Sequence, residues 1–417
     1  MKTFVIIAWR NMLRNPRRSG LVVAAIAVGL WGMLFSLGFM NGMGRQMVDN
    51  ALDSHLAHIQ VHHRDYQAVI EGFNFFRYQV KYYIDDPDVV MRAVEGADHV
   101  VATSPRVLAT GLATNAQNAR AIIMVGIDPE RESKVTRISS YLKEGSYVSS
   151  TDGRDIFIGK ALADKLGIEV GSKIVLMAQD INRDKAMAAF KVVGIYESSL
   201  KMHDEAYVYI GIEAARRMLG MGDKIHEVAA LVDDPKERLD AAKASIASRL
   251  DLNKYTPLTW KEIWPMLVRL LGMFDTFTYI FFILVFIAMA FGIANAVLMT
   301  VFERIREFGI MKALGTRPSQ IFLVVALESA CLGAVGIALG TFLGWLTVFY
   351  FGAHGMDLSV FSAVLDQMGL GSVVYTSMKT SYVFIGALMA LVTALLSAMW
   401  PAAKAAKLKP VDAIRHV

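Results

Sequence analysis

Thr276-Phe-Thr-Tyr-Ile-Phe-Phe-Ile-Leu-Val-Phe-Ile-Ala-Met-Ala-Phe-Gly-Ile-Ala-Asn-Ala-Val-Leu-Met-Thr-Val-Phe302 runs for 27 residues without one Asp, Glu, Lys or Arg. A helix needs about 20 apolar residues to cross a hydrocarbon core about 30 Å thick, so this stretch reads as a membrane span. Three more windows share its character: 19–44, 329–356 and 380–403. The 43 Lys and Arg and 38 Asp and Glu of the 417-residue chain therefore sit in the other 312 positions. Those positions are about 26% charged, an ordinary value for a soluble fold. The chain combines membrane material with a soluble-like part. Its high apolar content excludes disorder, and one cysteine, Cys331, excludes a disulfide scaffold. The first window is too long, and lacks a convincing small-residue cleavage site, to be a removed signal peptide, and it reads as a retained first span.

Basic residues near span ends set orientation. Residues 1–18 hold five basic residues and no acid, 303–328 a net charge of +1, and 404–417 a net charge of +3; everything else nets −4, giving the chain its +5. This places the N-terminus, the middle loop and the C-terminus in the cytoplasm, with 45–275 and 357–379 on the other side. The basic pI of about 9.1 is thus a topology signal. The large outer segment is slightly acidic and offers no basic face to nucleic acid.

Residues 45–275 are too many for a loop. The sequence predicts strands at Ile59–His62, Arg106–Ala113, Arg120–Ile127, Asp155–Ile158, Lys173–Met177, Phe190–Ile195, Ala206–Ile210 and Val228–Val232. Short helices fall at Lys160–Leu166, closed by Gly167, at Glu213–Leu219 and at Pro235–Leu250. This is an α+β domain. Trp260–Phe274 is apolar at helical spacing and leads into the second span, so a helix over Trp260–Phe302 would run roughly 60 Å at 1.5 Å per residue. Such a stalk could carry displacement; the competing reading is a break near Pro265.

Several chemical motifs fail. Gly153-Arg-Asp-Ile-Phe-Ile-Gly159-Lys160-Ala161 has five residues between its glycines and Ala where a phosphate loop needs Ser or Thr for Mg²⁺. His55, His58, His62 and His63 crowd nine residues, but His58–His62 reads as a strand without supporting Cys or carboxylates; surface histidines are favoured over a metal site. Glu328, about one turn into the third span, is a functional candidate by default, with snorkelling or capping as the bland alternative. Gly336, Gly340 and Gly344 recur at spacing four, and Gly38 and Gly42 repeat the pattern in the first span. A smooth helix face of this kind allows close approach of another helix, within the chain or in a dimer.

The middle loop, Glu303-Arg-Ile-Arg-Glu-Phe-Gly-Ile-Met-Lys-Ala-Leu-Gly-Thr-Arg-Pro-Ser-Gln320, reads as a short helix closed by Gly315, with Pro318 beyond. Phe308, Met311 and Leu314 share a face at spacing three and want lipid headgroups or a partner. The tail from Pro401 to Arg415 reads as a basic helix broken at Pro410. Arg304-x-x-Glu307-Phe308-Gly309-Ile-Met311-Lys312-Ala-Leu314-Gly315 resembles the Arg-Glu-Ile-Gly-x-x-Lys-Ala-Leu-Gly signature of FtsX/MacB/LolC-E-type ABC permeases, with Phe308 in place of the usual Ile. The tail Pro401-Ala-x-x-Ala405-Ala406-x-Leu408-x-Pro410-x-x-Ala413-Ile414-Arg415 and the opening Ala8-Trp-Arg-Asn11-x-x-Arg14-Asn15-x-x-Arg18 resemble that family's ends. Asp53–His63 and Phe157–Gly171 are similar to the lipoprotein-releasing LolC/LolE branch.

The resemblance implies an α-helical membrane protein of four transmembrane helices, with a large extracytoplasmic α+β domain inserted between spans one and two. It divides the chain into a cytoplasmic amphipathic helix at 1–18, spans at 19–44, 273–302, 319–352 and 380–403, the outer domain with its stalk at 45–272, a coupling helix at 303–318, an outer loop at 353–379 and a cytoplasmic tail at 404–417. It implies a bacterial inner-membrane permease, itself non-catalytic and without a cofactor, served by two copies of a separate ATPase that binds ATP and Mg. A second permease subunit, identical or paralogous, membrane lipid, and a lipoprotein or other envelope substrate complete the expected partners. Residues Arg304, Glu307, Phe308, Gly309, Met311, Lys312, Leu314 and Gly315 are expected in ATPase coupling, by mechanotransmission to the outer domain. A membrane-anchored scaffold or sensor, whose outer domain binds a partner such as a cell-wall hydrolase without transport, is the alternative; an intramembrane enzyme built on Glu328 has little support.

Overall fold

A computed structural model describes residues 16–66, 82–367, 369–409 and 413. The expected amphipathic helix at 1–18 lies almost wholly outside the described residues, as do Pro410, Ile414 and Arg415. Two compact units emerge: one made of the chain to Gly44, Leu271–Asp357 and Val374 onward, the other of Arg45–Leu270 and Leu358–Val373.

The first unit is helical. Its elements are α1 (Pro16–Ala51, to Gly44 here), α9 (Pro265–Glu303, from Leu271), α10 (Ile305–Ala313), α11 (Pro318–His354) and α13 (Thr380–Lys407). Among the described residues four helices, α1, α9, α11 and α13, are long and apolar enough to cross a membrane. Their core includes Ile26, Leu30, Leu34, Met289, Ile293, Ile321 and Leu332. Ala390, Ala394, Ala398, Ala402 and Ala405 make a buried small-residue edge on α13, and Gly333 of α11 approaches Ala394. The glycine stripe of α11 is spent inside the chain. A Cβ at Gly336 would stand 2.7 Å from the Ile26 Cβ, at Gly340 2.7 Å from the Ala27 carbonyl oxygen, and at Gly344 2.9 Å from the Leu34 Cβ, all on α1. Gly38 and Gly42 of α1 meet Val348 and the Tyr375 backbone.

The second unit is built on a ten-stranded sheet: β1 (Ile59–His63), β2 (Val100–Thr114), β3 (Ala119–Ile127), β4 (Leu142–Gly145), β5 (Asp155–Gly159), β6 (Lys173–Gln179), β7 (Lys185–Tyr196), β8 (Tyr207–Gly211), β9 (Glu227–Val232) and β10 (Tyr255–Thr259). The order is β10-β1-β9-β2-β3-β8-β5-β7-β4, with β6 bridging β2 and β7. Among the described strands only β3–β8 and β5–β7 pair in parallel. The helices are α2 (Pro87–Glu95), α3 (Pro129–Val135), α4 (Lys160–Leu166), α5 (Lys201–Ala206), α6 (Ile212–Leu219), α7 (Leu239–Arg249), α8 (Trp260–Ile263) and α12 (Ser362–Gln367). A short pair, β11 (Met356–Asp357) and β12 (Val373–Val374), brackets the segment 358–373. The strands β2 and β3 form a hairpin, its turn closed by Asn115 Oδ1 accepting from the Asn118 amide at 2.7 Å. Gly167 and Gly220 end α4 and α6 in the left-handed conformation.

Four expectations need correction. The helix at Pro235–Leu250 begins only at Leu239. The helix into the second apolar span does not run from Trp260: α8 ends at Ile263, Trp264 takes φ −123° and ψ 68°, and Pro265 opens α9. A residue before proline is pushed out of the helical region, and proline suits a first helical turn because its missing N–H has no partner there anyway. Glu328 is not one turn into its helix. It lies ten residues past Pro318, nearly three turns at 3.6 residues per turn. Finally, the histidines do not form a surface cluster throughout: β1 is flanked by β9 and β10, His62 is fully buried, and the His58 Nδ1 accepts from the Val232 amide at 2.9 Å, whereas His63 keeps a third of its side chain exposed.

Candidate functional site

The short helix α10 has no length to stabilise itself, since isolated helices under about 12–15 residues are marginal in water. It is held by side chains at both ends. At its start, the Arg304 guanidinium donates to Glu307 at 2.8 Å and to Glu328 of α11 at 3.0 Å, and lies over the Phe308 ring. At its end, the Lys312 ammonium donates to the carbonyls of Ala406 (2.8 Å) and Leu408 (2.6 Å). These are final carbonyls of α13, which lack intrahelical partners, and a cation there also suits the helix dipole. Gly315, at φ +95°, closes α10 by a paired motif in which the Gly315 amide donates to Lys312 and the Thr316 amide to Met311, both at 3.0 Å. Arg304 and Lys312 thereby tie α10 to the third and fourth apolar helices.

This geometry changes the expected docking face. Phe308, 1% exposed, and Gly309 are turned into the core formed by Ile321, Val325 and Ala405, so they are not presented to another chain. Met311 is half-buried against the same core. Spacing of three places Phe308 and Met311 on one side, but Leu314 lies past the last helical residue and points out, 82% exposed. Ile310 is also exposed. The free face of α10 consists of Arg306, Ile310, Ala313, Leu314 and Gly315, with Arg317 beyond. Glu307 is half-buried beside Arg304. Arg306, Ile310 and Arg317 carried no signal in the sequence beyond membership of the loop; the inward commitment of Phe308 is what exposes them.

The sheet unit has a second polar centre that the sequence did not announce. Arg106 of β2, Glu132 of α3 and Glu227 of β9 form a buried ion triad. Nearby, His203 bonds the Tyr209 hydroxyl at 2.9 Å. Burial holds His62 and His203 down to about 3 against an ordinary 6.5, while burial pushes Asp204 up to about 7 despite its bonds from Ser198. A buried neutral histidine gives up stability as pH falls from 6.5 toward 3, because only the unfolded chain takes the proton. Asp204 acts oppositely: its folded carboxyl keeps a proton that the unfolded chain loses above the usual carboxylate range. Between pH 7 and 5 each histidine removes roughly 2 kcal/mol and Asp204 returns about as much. Those three groups alone take about 2 kcal/mol from the sheet unit over that interval, and His55 and His58, also held low by burial, deepen the loss. Asp204→Asn should steepen the loss by about a further 2 kcal/mol, read as the difference in thermal unfolding of the purified protein at the two pH values; equal slopes would contradict it.

A family model described as a MacB-like periplasmic core domain matches residues 19–249, and one described as an FtsX-like permease C-terminal region matches residues 279–410. The chain belongs to the FtsX/MacB/LolC-E-type ABC transporter permeases. The permease is 23% identical over 442 residues to the lipoprotein-releasing system transmembrane protein LolC of Neisseria meningitidis serogroup B, covering 99% of this chain and 100% of that one. It is 24% identical over 444 residues to LolE of Haemophilus influenzae, covering 99% of each. Over 125 residues it is 36% identical to the macrolide export ATP-binding/permease protein MacB of Chlorobaculum tepidum, covering 30% of this chain and 17% of that one. The FtsX-like match contains α10 and both of its anchors, Glu328 and the end of α13.

Proposed function

We propose that this permease is the non-catalytic half of an ABC transporter in a bacterial inner membrane, with both termini cytoplasmic and the sheet domain inserted outside between spans one and two. A separate ATPase, present in two copies and holding the ATP and Mg, docks on α10, and a second permease subunit completes the assembly. Closure of the ATPase pair moves α10, and the spans carry that motion to the sheet domain. The full-length similarity to LolC and LolE favours lipoprotein release, or export of another envelope substrate, as the work performed.

The observation that carries this reading is the mounting of α10. A short helix braced to two apolar helices through Arg304–Glu328 and Lys312, while presenting Ile310 and Leu314 outward, is suited to receive a push and hand it on. Burying an exposed Ile or Leu side chain against a partner is worth about 1.5–3 kcal/mol over leaving it in water. Ile310→Asp with Leu314→Asp should abolish co-purification of the ATPase while the permease keeps its melting temperature. Retained co-purification would remove α10 as the docking element. Lys312, bonded within its own chain, is a poorer probe of docking than these two.

A further inference from the structure

The last turn of α1 passes into the sheet unit through an unusual joint. Leu52–Leu56 form a π-helical turn, and Ala57 then takes φ 57° and ψ −176° before β1 begins. That backbone region is almost reserved for glycine, and a non-glycine residue stays there only when its surroundings force it. A helix end leaves four carbonyls without intrahelical partners. Here four consecutive carbonyls are capped from elsewhere in the unit. The Arg137 amide donates to Asp53 at 2.8 Å, the Tyr209 hydroxyl to Ser54 at 3.2 Å, the Arg106 guanidinium to His55 at 2.6 Å and the Gln60 amide group to Leu56 at 2.6 Å.

Arg106 is the charged cap, and its direction is fixed. Two of its nitrogens meet both oxygens of Glu132 at 2.9 and 2.6 Å, and a third meets Glu227 at 2.8 Å as well as the His55 carbonyl. Arginine and both carboxylates are at most 3% exposed. A buried ion triad is a poor device for stability alone, since apolar residues of similar shape often serve as well or better. What it supplies is orientation, because a planar five-donor fork held by two carboxylates cannot turn. The His55 ring in turn packs against His203, Tyr207 and Trp264, and Trp264 is the residue that separates α8 from α9. The entry and exit strands β1 and β10 are also direct neighbours, with Ile59 opposite Thr259.

We infer that Arg106 is a positioning residue for force transmission: by clamping the His55 carbonyl it makes the end of α1, the head of α9 and the sheet move as one piece. The inference rests on the coupling function proposed above, but the clamp can be tested without it. In the intact protein with Cys331→Ser, nitroxides at Asp49→Cys on α1 and Arg120→Cys on the hairpin report the joint by their distance distribution. The parent should give one narrow distribution. Two variants remove the clamp differently. Arg106→Met with Glu132→Gln and Glu227→Gln deletes all three charges together, and Arg106→Lys keeps the charge but not the fork. Each folded variant should broaden the distribution at least twofold; an unchanged width in either overturns the inference. The unmodified chain provides a check that needs no variant: amides of residues 54–60 should exchange as slowly as those of β9, and loop-like exchange there would also overturn it. Adding ATP and the co-purifying ATPase then separates the two ideas. Under load the parental distance should hold and the variant distances should shift. Broad variant distributions that ignore ATP would leave the clamp standing and remove the coupling function.

Discussion

Gly340→Leu will prevent the apolar helices from assembling, and Gly340→Ala alone will lower the melting temperature of the detergent-solubilised protein. Without a side chain, Gly340 lets α11 lie directly on the backbone of α1: an added Cβ falls 2.7 Å from the Ala27 carbonyl oxygen and 3.0 Å from its Cα. Neither atom is the flexible end of a side chain, so one helix must move. Overpacking of this kind costs about 1–3 kcal/mol for a single methyl, and leucine adds three more carbons in the same place. Gly336 and Gly344 hold the next turns against Ile26 and Leu34, so displacement at Gly340 cannot be absorbed by tilting about a neighbouring loose contact. Gly292→Ala on α9 is the control. Its Cβ meets nothing within 4 Å, and replacing a mid-helix glycine should be neutral or stabilising by up to about 1 kcal/mol. Equal melting temperatures for Gly340→Leu and the parent would refute this account of the stripe.

The helices were legible because lipid imposes a length and a composition that few other demands mimic. Their ends were less so: α1 extends to Ala51, past the charge-free window that stops at Gly44, because a helix continues wherever backbone bonding allows, whatever its side chains prefer. The break at Trp264 was readable from Pro265, but the apolar spacing on both sides argued for continuity. In the sheet domain the predicted strands are present because each carries β-branched residues between turn signals. The strands β4 and β10 and helices α2, α3, α5 and α12 were missed; all but α2 are seven residues or shorter, below the length at which periodicity speaks.

The site was legible as a motif and not as a surface. Spacing of three showed that α10 is two-sided but could not say which side its own chain would cover, and Phe308 went inward. The buried charges were invisible for a related reason. Arg106 sits in a strand whose partners, Glu132 and Glu227, are 26 and 121 residues away, and no local pattern reports a contact of that range. The histidines misled in the same way: four ionisable groups in nine residues suggest solvent until β9 and β10 are known to close around β1.

Arg304 and Glu328 join these themes, because a charge pair inside the apolar unit should be far more sensitive to losing one member than to losing both. The Arg304 guanidinium meets Glu328 at 3.0 Å with both side chains largely shielded, 14% and 11% exposed. Arg304→Met removes the cation and keeps the bulk, leaving the Glu328 charge in an environment where removing one partner of a buried pair costs about 3–5 kcal/mol. Glu328→Gln in the same chain removes the stranded charge while keeping the shape, so the double variant should regain most of that loss. The four proteins form a thermodynamic cycle whose interaction term should be about 2 kcal/mol or more, measured as thermal or denaturant unfolding in one detergent. The cycle also separates stability from coupling. If the pair transmits motion from α10 to α11, the double variant will recover its melting temperature but not ATP-dependent function. Strict additivity of the two single changes would show that Arg304 and Glu328 are neighbours without energetic dependence, and that α10 is held by Lys312 and its packing alone.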